Sequence, residues 1–153
     1  MKSAIVFTTI SGNTQEVAEL ITETITKNGG ECDLFHTGRF AVNLSLYDIV
    51  FFGSYTWGDG KLPVPMRKEL KRILIDDKDI PKLATVFGTG DTNYHFFCRA
   101  VDEMEYHLNK HGVETIGSKL KIEQSCRGSQ EQKVIEWTNQ ILNGVIDYET
   151  SKN

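Results

Sequence analysis

The chain has 153 residues and a formal net charge of -4, enough for one domain with a proper core and too acidic for the basic face that nucleic acid requires. With 39% hydrophobic and 25% charged residues it reads as an ordinary soluble globular protein, and no segment approaches the about 18 apolar residues of a membrane-spanning helix. Cys32, Cys98 and Cys126 lie far apart without CxxC spacing, which fits reduced thiols better than a disulfide framework or a zinc site. The apolar run after Met1-Lys2 breaks at Thr8, leaving no signal-like segment, so the expected location is the cytoplasm.

Ala4-Ile5-Val6-Phe7-Thr8 has the apolar, β-branched character of a strand buried on both faces. It runs into Thr9-Ile10-Ser11-Gly12-Asn13-Thr14, a hydroxyl-rich turn that leads directly into a helical pattern. Backbone N–H groups at a helix start, with the hydroxyls of Thr9, Ser11 and Thr14, suit one small anion such as a phosphate. The turn holds no Lys or Arg, which favours neutral donors over a charge clamp. Val17, Leu20, Ile21, Thr24 and Ile25 predict a helix over 15–27, closed by Asn28-Gly29-Gly30. A short strand is expected over 31–36 and a connection over 37–46.

Residues 47–54 form a second central strand that opens into a loop, 55–63, where Trp57 is flanked by glycines. A helix is expected over 63–75, with Pro65 in its first turn and Met66, Leu70, Ile73 and Leu74 turned inward. After a polar linker, residues 83–88 make a third apolar strand and deliver a second glycine-rich loop, Thr89-Gly90-Asp91-Thr92-Asn93-Tyr94. A helix over 96–110 buries Phe97, Ala100, Val101, Met104 and Leu108. Residues 113–116 and 119–122 supply a last strand, and 130–142 a final helix burying Val134, Ile135, Trp137 and Ile141. Residues 147–153 read as a frayed polar tail, so one domain is expected over 1–146.

This alternation predicts an α/β fold of the doubly wound type, a five-stranded parallel sheet with helices on both faces. The C-terminal ends of its strands share one edge, where ligands bind at the topological switch point. Taken singly, each loop has a plainer reading: a capping turn, a core or interface tryptophan, a helix-start tyrosine. Together they place a phosphate in the first loop and two aromatic faces, Trp57 and Tyr94, around a flat ring. His36, His95, His107 and His111 show no metal-ligand spacing. Gly88-Thr89-Gly90 lacks the later glycine of a dinucleotide fingerprint, and no G-x-x-x-x-G-K-[ST] occurs.

The chain resembles a flavodoxin. Thr9-Ile10-Ser11-Gly12-Asn13-Thr14 is similar to the family's phosphate loop T-x-T-G-x-T, with Ser11 in place of the middle threonine. Thr56-Trp57-Gly58-Asp59 resembles the loop whose tryptophan covers the inner flavin face. Gly90-Asp91-Thr92-Asn93-Tyr94, followed by Phe96-Phe97-Cys98, resembles the loop whose tyrosine covers the outer face. The likeness runs from the first strand to the last helix, and the 14 residues 116–129 leave no room for the insertion of long-chain members, so it is to the short-chain group.

The resemblance implies a flavodoxin-like strand order 2-1-3-4-5 and FMN as cofactor. Thr9, Ser11 and Thr14, with the backbone of Ile10, Ser11, Gly12, Asn13 and Thr14, would hold the 5′-phosphate. Thr56, Trp57, Gly58, Asp59 and Gly60, with Thr89, Gly90, Asp91, Tyr94, Phe96, Phe97 and Cys98, would surround the ring. Among these, backbone groups of Asp91, Phe96 and Cys98 would read its pyrimidine end and Asp59-Gly60 its opposite polar edge. Gly58 would turn its carbonyl toward N5 on reduction, a change glycine makes at little steric cost.

The implied function is a low-potential one-electron carrier, not an enzyme. It would be reduced by an NADPH-dependent flavodoxin or ferredoxin reductase and reoxidised by redox acceptor proteins, through transient contacts and as a monomer. Acidic residues near the ring, and no cation near it in sequence, would disfavour a negatively charged reduced flavin. The alternatives are a small FMN-dependent quinone or nitro reductase, which would need a substrate pocket where Tyr94 sits, and a flavodoxin-like activator of ribonucleotide reductase. Neither nucleic acid nor membrane is expected as a partner.

Overall fold

The computed structural model describes residues 1–39 and 41–152. Phe40, within the expected connection, and Asn153, at the end of the expected tail, lie outside the described residues. Five parallel strands, β1 (Lys2–Phe7), β2 (Glu31–His36), β3 (Ile49–Tyr55), β4 (Ala84–Gly90) and β5 (Leu120–Glu123), form one sheet in the order β2-β1-β3-β4-β5. The helices are α1 (Asn13–Lys27), α2 (Val64–Lys71), α3 (Arg99–Lys110) and α4 (Glu131–Ser151). This is the doubly wound arrangement expected from the sequence.

Successive strand residues point to opposite faces, and each face has its own apolar cluster. Ala4, Val6, Val50, Phe52 and Val86 pack with Met66 and Leu70 of α2 and Val101 and Met104 of α3. Ile5, Phe7, Phe51 and Phe87 pack with Val17 and Ile21 of α1 and Val134 and Trp137 of α4. Burial on both sides explains why β1, β3 and β4 read as continuous apolar runs with no alternation.

Several elements differ from expectation at their ends. Helix α2 stops at Lys71 and continues as a π turn, Arg72–Asp76, with the Asp77 N–H bonded to the Arg72 carbonyl at 2.8 Å. The Arg72 guanidinium is drawn into a network with Glu69, Asp77 and the Ala41 carbonyl, and the wider turn keeps both Ile73 and Leu74 buried. Strand β4 extends through Thr89 and Gly90, because they pair with Ile122 and Glu123 of β5. Residues 113–116 form no strand but touch β4 around Thr115, which bridges to Ala84: the Ala84 N–H donates to the Glu114 carbonyl at 2.9 Å and the Ile116 N–H to the Ala84 carbonyl at 3.0 Å.

Helix α3 begins at Arg99, after Cys98 in a left-handed conformation with φ of 52°. Helix α4 runs on to Ser151, so residues 147–151 are helical and not frayed. Buried Val145 and the packing of Tyr148 against the α1/α4 cluster hold this last stretch.

Neighbouring strands β3 and β4 approach so closely that Gly88 admits no side chain. A methyl group there would lie 2.6 Å from the Ser54 carbonyl oxygen and 2.4 Å from Val101 Cγ2. Gly88→Ala is expected to lower the stability of the protein by about 1–3 kcal/mol, the range for overpacked cores. Urea unfolding followed by circular dichroism measures the change, and an unaltered midpoint would show that the sheet opens to accept the methyl.

Candidate functional site

Strand β1 hands the chain to α1 through residues 8–12, the first loop. The Thr8 N–H bonds to the Gly53 carbonyl at 3.0 Å, pinning the loop to β3. The Gly12 N–H bonds to the Thr9 hydroxyl oxygen at 3.1 Å, and Gly12 adopts φ of 96° at the N-cap, a conformation that suits glycine. Among the described residues, the N–H groups of Ile10, Ser11, Asn13 and Thr14 have no acceptor. Ser11 is exposed and Thr9 half-buried, whereas Thr14 is buried with its hydroxyl 2.8 Å from that of Thr89.

This is a set of neutral donors at a helix N-terminus, the chemistry that holds a phosphate. Two basic residues that the sequence reading did not connect with it lie close by. His36 and Arg39 line one groove with Thr9 and Gln15, and the His36 ring packs on Phe7 with centroids 5.3 Å apart. The signal was available: in the order 2-1-3-4-5, the end of β2 lies opposite the end of β1, and His36 pairs with Phe7.

The second loop follows β3. The Gly60 N–H bonds to the Trp57 carbonyl at 2.8 Å, and the Lys61 N–H to Asp59 Oδ1 at 3.2 Å. The Trp57 ring is 48% exposed and stands edge-on to Tyr55 at 5.7 Å. Thr56 faces inward, its hydroxyl oxygen accepting the Ala100 N–H at 3.1 Å, so it anchors the loop to the start of α3. Gly58 and Asp59 are exposed and Gly60 is buried.

The third loop follows β4. Asp91 closes a turn by accepting the Asn93 N–H at 2.8 Å on its side chain and the Tyr94 N–H at 3.0 Å on its carbonyl. Gly90 and Thr92 are tied to the end of β5, through Gln124 N–H and the Glu123 carboxylate respectively. Tyr94 is 56% exposed and its ring lies against Gly58, 3.6 Å from where a methyl group would stand. Phe96 closes on Gly60, whose φ of 86° and 2.7 Å approach to Phe96 Cβ leave space for no other residue. Phe97 is half-buried and Cys98 buried. Among the described residues the N–H groups of Asp91, Phe96 and Cys98 have no acceptor.

The structure thus joins the second and third loops, at Gly58 with Tyr94 and Gly60 with Phe96, ties the second to the start of α3 at Thr56 with Ala100, and ties the first turn of α1 to the end of β4 at Thr14 with Thr89. It also brings cations there, contrary to the reading of a ring site without them. Arg99 places its guanidinium 5.1 Å over the Phe96 ring, and its Cδ would lie 3.1 Å from a methyl on Gly60. Lys61 lies 3.7 Å from Asp59, both exposed, a pair of little energetic weight. Both stand beside the ring residues in the sequence, Lys61 within the loop 55–63 and Arg99 directly after Cys98, and the reading of a ring site without cations passed over them.

A doubly wound sheet whose order turns between β1 and β3 belongs to the class that takes a nucleotide at the C-terminal ends of its strands. Within that class, the flavodoxin family model matches residues 5–137, and the chain belongs to the flavodoxin family. It is similar to Probable flavodoxin 2 of Bacillus subtilis (strain 168), with 36% identity over 145 residues that cover 92% of this chain and 93% of that one. It is also similar to the flavodoxin of Maridesulfovibrio salexigens, 32% identical over 152 residues, covering 94% and 99%. The crystal structure of oxidised Flavodoxin 1 from Bacillus cereus superposes with a TM-score of 0.83 at 28% identity, covering 94% and 98%. Flavodoxins bind FMN and transfer electrons, and are not enzymes. Among the described residues, no helix is long and apolar enough to cross a membrane.

The three thiols, of which Cys98 lies at the site, are held neutral. Burial pushes Cys98 up to about 12 and Cys32 up to about 11, and it raises Cys126 as well. At pH 8 a thiol with a pKa of about 11 is ionised in roughly one molecule per thousand, and only the thiolate reacts. Ellman's reagent is therefore expected to label none of the three cysteines rapidly in the folded protein and all three in urea. The unfolded chain loses these protons first, from near the ordinary value of 9.0. Stability is thus full below about pH 9 and falls above it until the folded thiols ionise too; alkaline urea titrations read this slope, and a flat profile would contradict it.

Proposed function

We propose that this chain is a cytoplasmic, monomeric one-electron carrier, reduced by an NADPH-dependent flavodoxin or ferredoxin reductase and reoxidised by acceptor proteins. The observation that supports it most is the meeting of three loops at one sheet edge, one lined with unpaired donors and two bearing exposed aromatic rings. The Thr9 and Ser11 hydroxyls and the N–H groups of Ile10, Ser11, Asn13 and Thr14 hold the phosphate of FMN. Trp57 and Tyr94 flank its ring, with backbone groups of Asp91, Phe96 and Cys98 on the pyrimidine edge and Asp59-Gly60 on the other. FMN supplies the redox chemistry when bound, while the protein sets its exposure and its charged surroundings.

A quinone or nitro reductase would need room for a substrate over the ring. Tyr94 and the Phe96–Gly60 contact occupy the mouth of the ring loops, which disfavours that alternative. Photoreduction of the purified yellow protein is expected to pass through a long-wavelength absorption band that rises and then decays as the second electron enters. Direct bleaching by NADPH, with no reductase added and no such band, would assign the chain to the reductases instead.

Trp57→Ala removes one aromatic face. FMN affinity is expected to fall about tenfold, within the about 1–3 kcal/mol that ring stacking contributes per face, with the potential of the second electron raised. Fluorescence titration and spectroelectrochemistry measure the two effects. Unchanged values in both would show that Trp57 does not stack on the ring.

A further inference from the structure

Thr89 stands at the end of β4, where strand alternation sends Thr85, Phe87 and Thr89 toward the α1/α4 side. Phe87 packs in that cluster, and the Thr85 hydroxyl donates to the Ile116 carbonyl at 3.1 Å. Thr89, 2% exposed, instead reaches Thr14, 1% exposed, in the first turn of α1. Their hydroxyl oxygens are 2.8 Å apart, across 75 positions of sequence.

Each threonine hydroxyl carries one proton. A bond between the two uses one of those protons, so the accepting hydroxyl keeps a proton of its own. Among the described residues that proton has no acceptor, and a buried donor without one is costly. The N–H groups of Asn13 and Thr14, on the same turn, also lack acceptors among the described residues. The spare proton and these N–H groups are thus the complement of one anion.

We propose that Thr89 is a positioning residue for phosphate recognition: it donates to Thr14 Oγ1 and so turns the proton of Thr14 toward the phosphate held by the first loop. The assignment rests on the phosphate reading given above and deepens it. Thr89, expected from the resemblance among the residues around the ring, acts in this proposal through Thr14 and not by touching the cofactor. It fixes one χ1 rotamer of Thr14, sets which hydroxyl donates to which, and so favours a phosphorylated flavin over riboflavin. A hydroxyl aimed in advance at a charged acceptor loses no rotamer freedom on binding, and a hydrogen bond to a charged group is among the stronger kinds.

The test compares FMN and riboflavin binding to the full-length, FMN-free protein by flavin fluorescence quenching. Thr89→Val is expected to weaken FMN about tenfold or more, to leave riboflavin affinity unchanged, and to be rescued by Thr89→Ser. If Thr89→Val weakens both flavins equally, or neither, Thr89 does not position the phosphate contact and the proposal is overturned. Thr14→Val and Ser11→Ala separate this failure from that of the underlying reading. Loss of the FMN preference in those variants, but not in Thr89→Val, would leave the first loop as the phosphate site and remove only the role of Thr89. An unchanged preference in all three would remove the phosphate site and the role of Thr89 with it. Should Thr89→Val not fold, Thr89→Cys, with its weak thiol donor, replaces it with the same expected loss.

Discussion

The parallel hydrogen-bonding of β1 to both β2 and β3 is the constraint on which the rest of the molecule depends. Parallel neighbours cannot be joined by a hairpin, so each connection must cross a face of the sheet and return. Every strand then runs the same way, and every loop leaving a strand lies on one edge. The crossover from β1 to β2 goes one way along the sheet and the later ones go the other. With right-handed crossovers, α1 is placed on the face opposite α2 and α3. The loops after β1 and β3 therefore diverge, and the Thr8 to Gly53 hydrogen bond marks their point of separation.

That geometry is held by close contacts that leave no slack. Gly88 lets β3 and α3 approach β4 to within a methyl group's clearance, and Gly60 lets the second and third loops touch through Phe96. Thr56 then ties the second loop to α3 by capping Ala100, while Gly90 and Thr92 tie the third loop to β5. The aromatic rings at the site are exposed, but the loops that carry them are fixed at their bases. Exposed rings on restrained backbone suit contact with a flat ligand, since little conformational freedom remains to be lost on binding.

The strand and helix faces and the three loops were legible because each rests on local pattern, apolar runs, helical spacing and glycine-rich turns, whereas the strand order came from the resemblance to flavodoxins. Strand β2 was readable to both ends, 31–36. What was not legible rests on tertiary contacts that override local preference. Gly88 and Gly90, which flank Thr89, have weak strand character, yet pairing with β5 holds Thr89 and Gly90 in β4, and that extension turns Thr89 toward Thr14. Phe96-Phe97 continues the apolar stripe of α3, yet the left-handed Cys98 delays the helix. Gly144 and the polar residues after it hid the end of α4, which is held by contacts of Val145 and Tyr148 with the core. Arg99 follows Cys98 directly, so its place beside the third loop was readable, but its approach to Gly60 of the second loop comes from the folded chain.

The division of labour between loops follows from how a bound group alters a redox equilibrium. An interaction of equal strength in both redox states stabilises both and moves the equilibrium nowhere; only a difference between states shifts it. A phosphate does not change its charge when a flavin ring is reduced. In the proposed reading, donors at the first loop and the Thr14 hydroxyl would therefore add affinity common to both states, and charges around the second and third loops would act on the ring, where the charge changes. There, Asp59 is offset by Lys61, Glu123 is engaged by Thr92, and Arg99 has no carboxylate partner among the described residues. A carrier built in this way would retain its cofactor through one set of contacts and have its potential set by another.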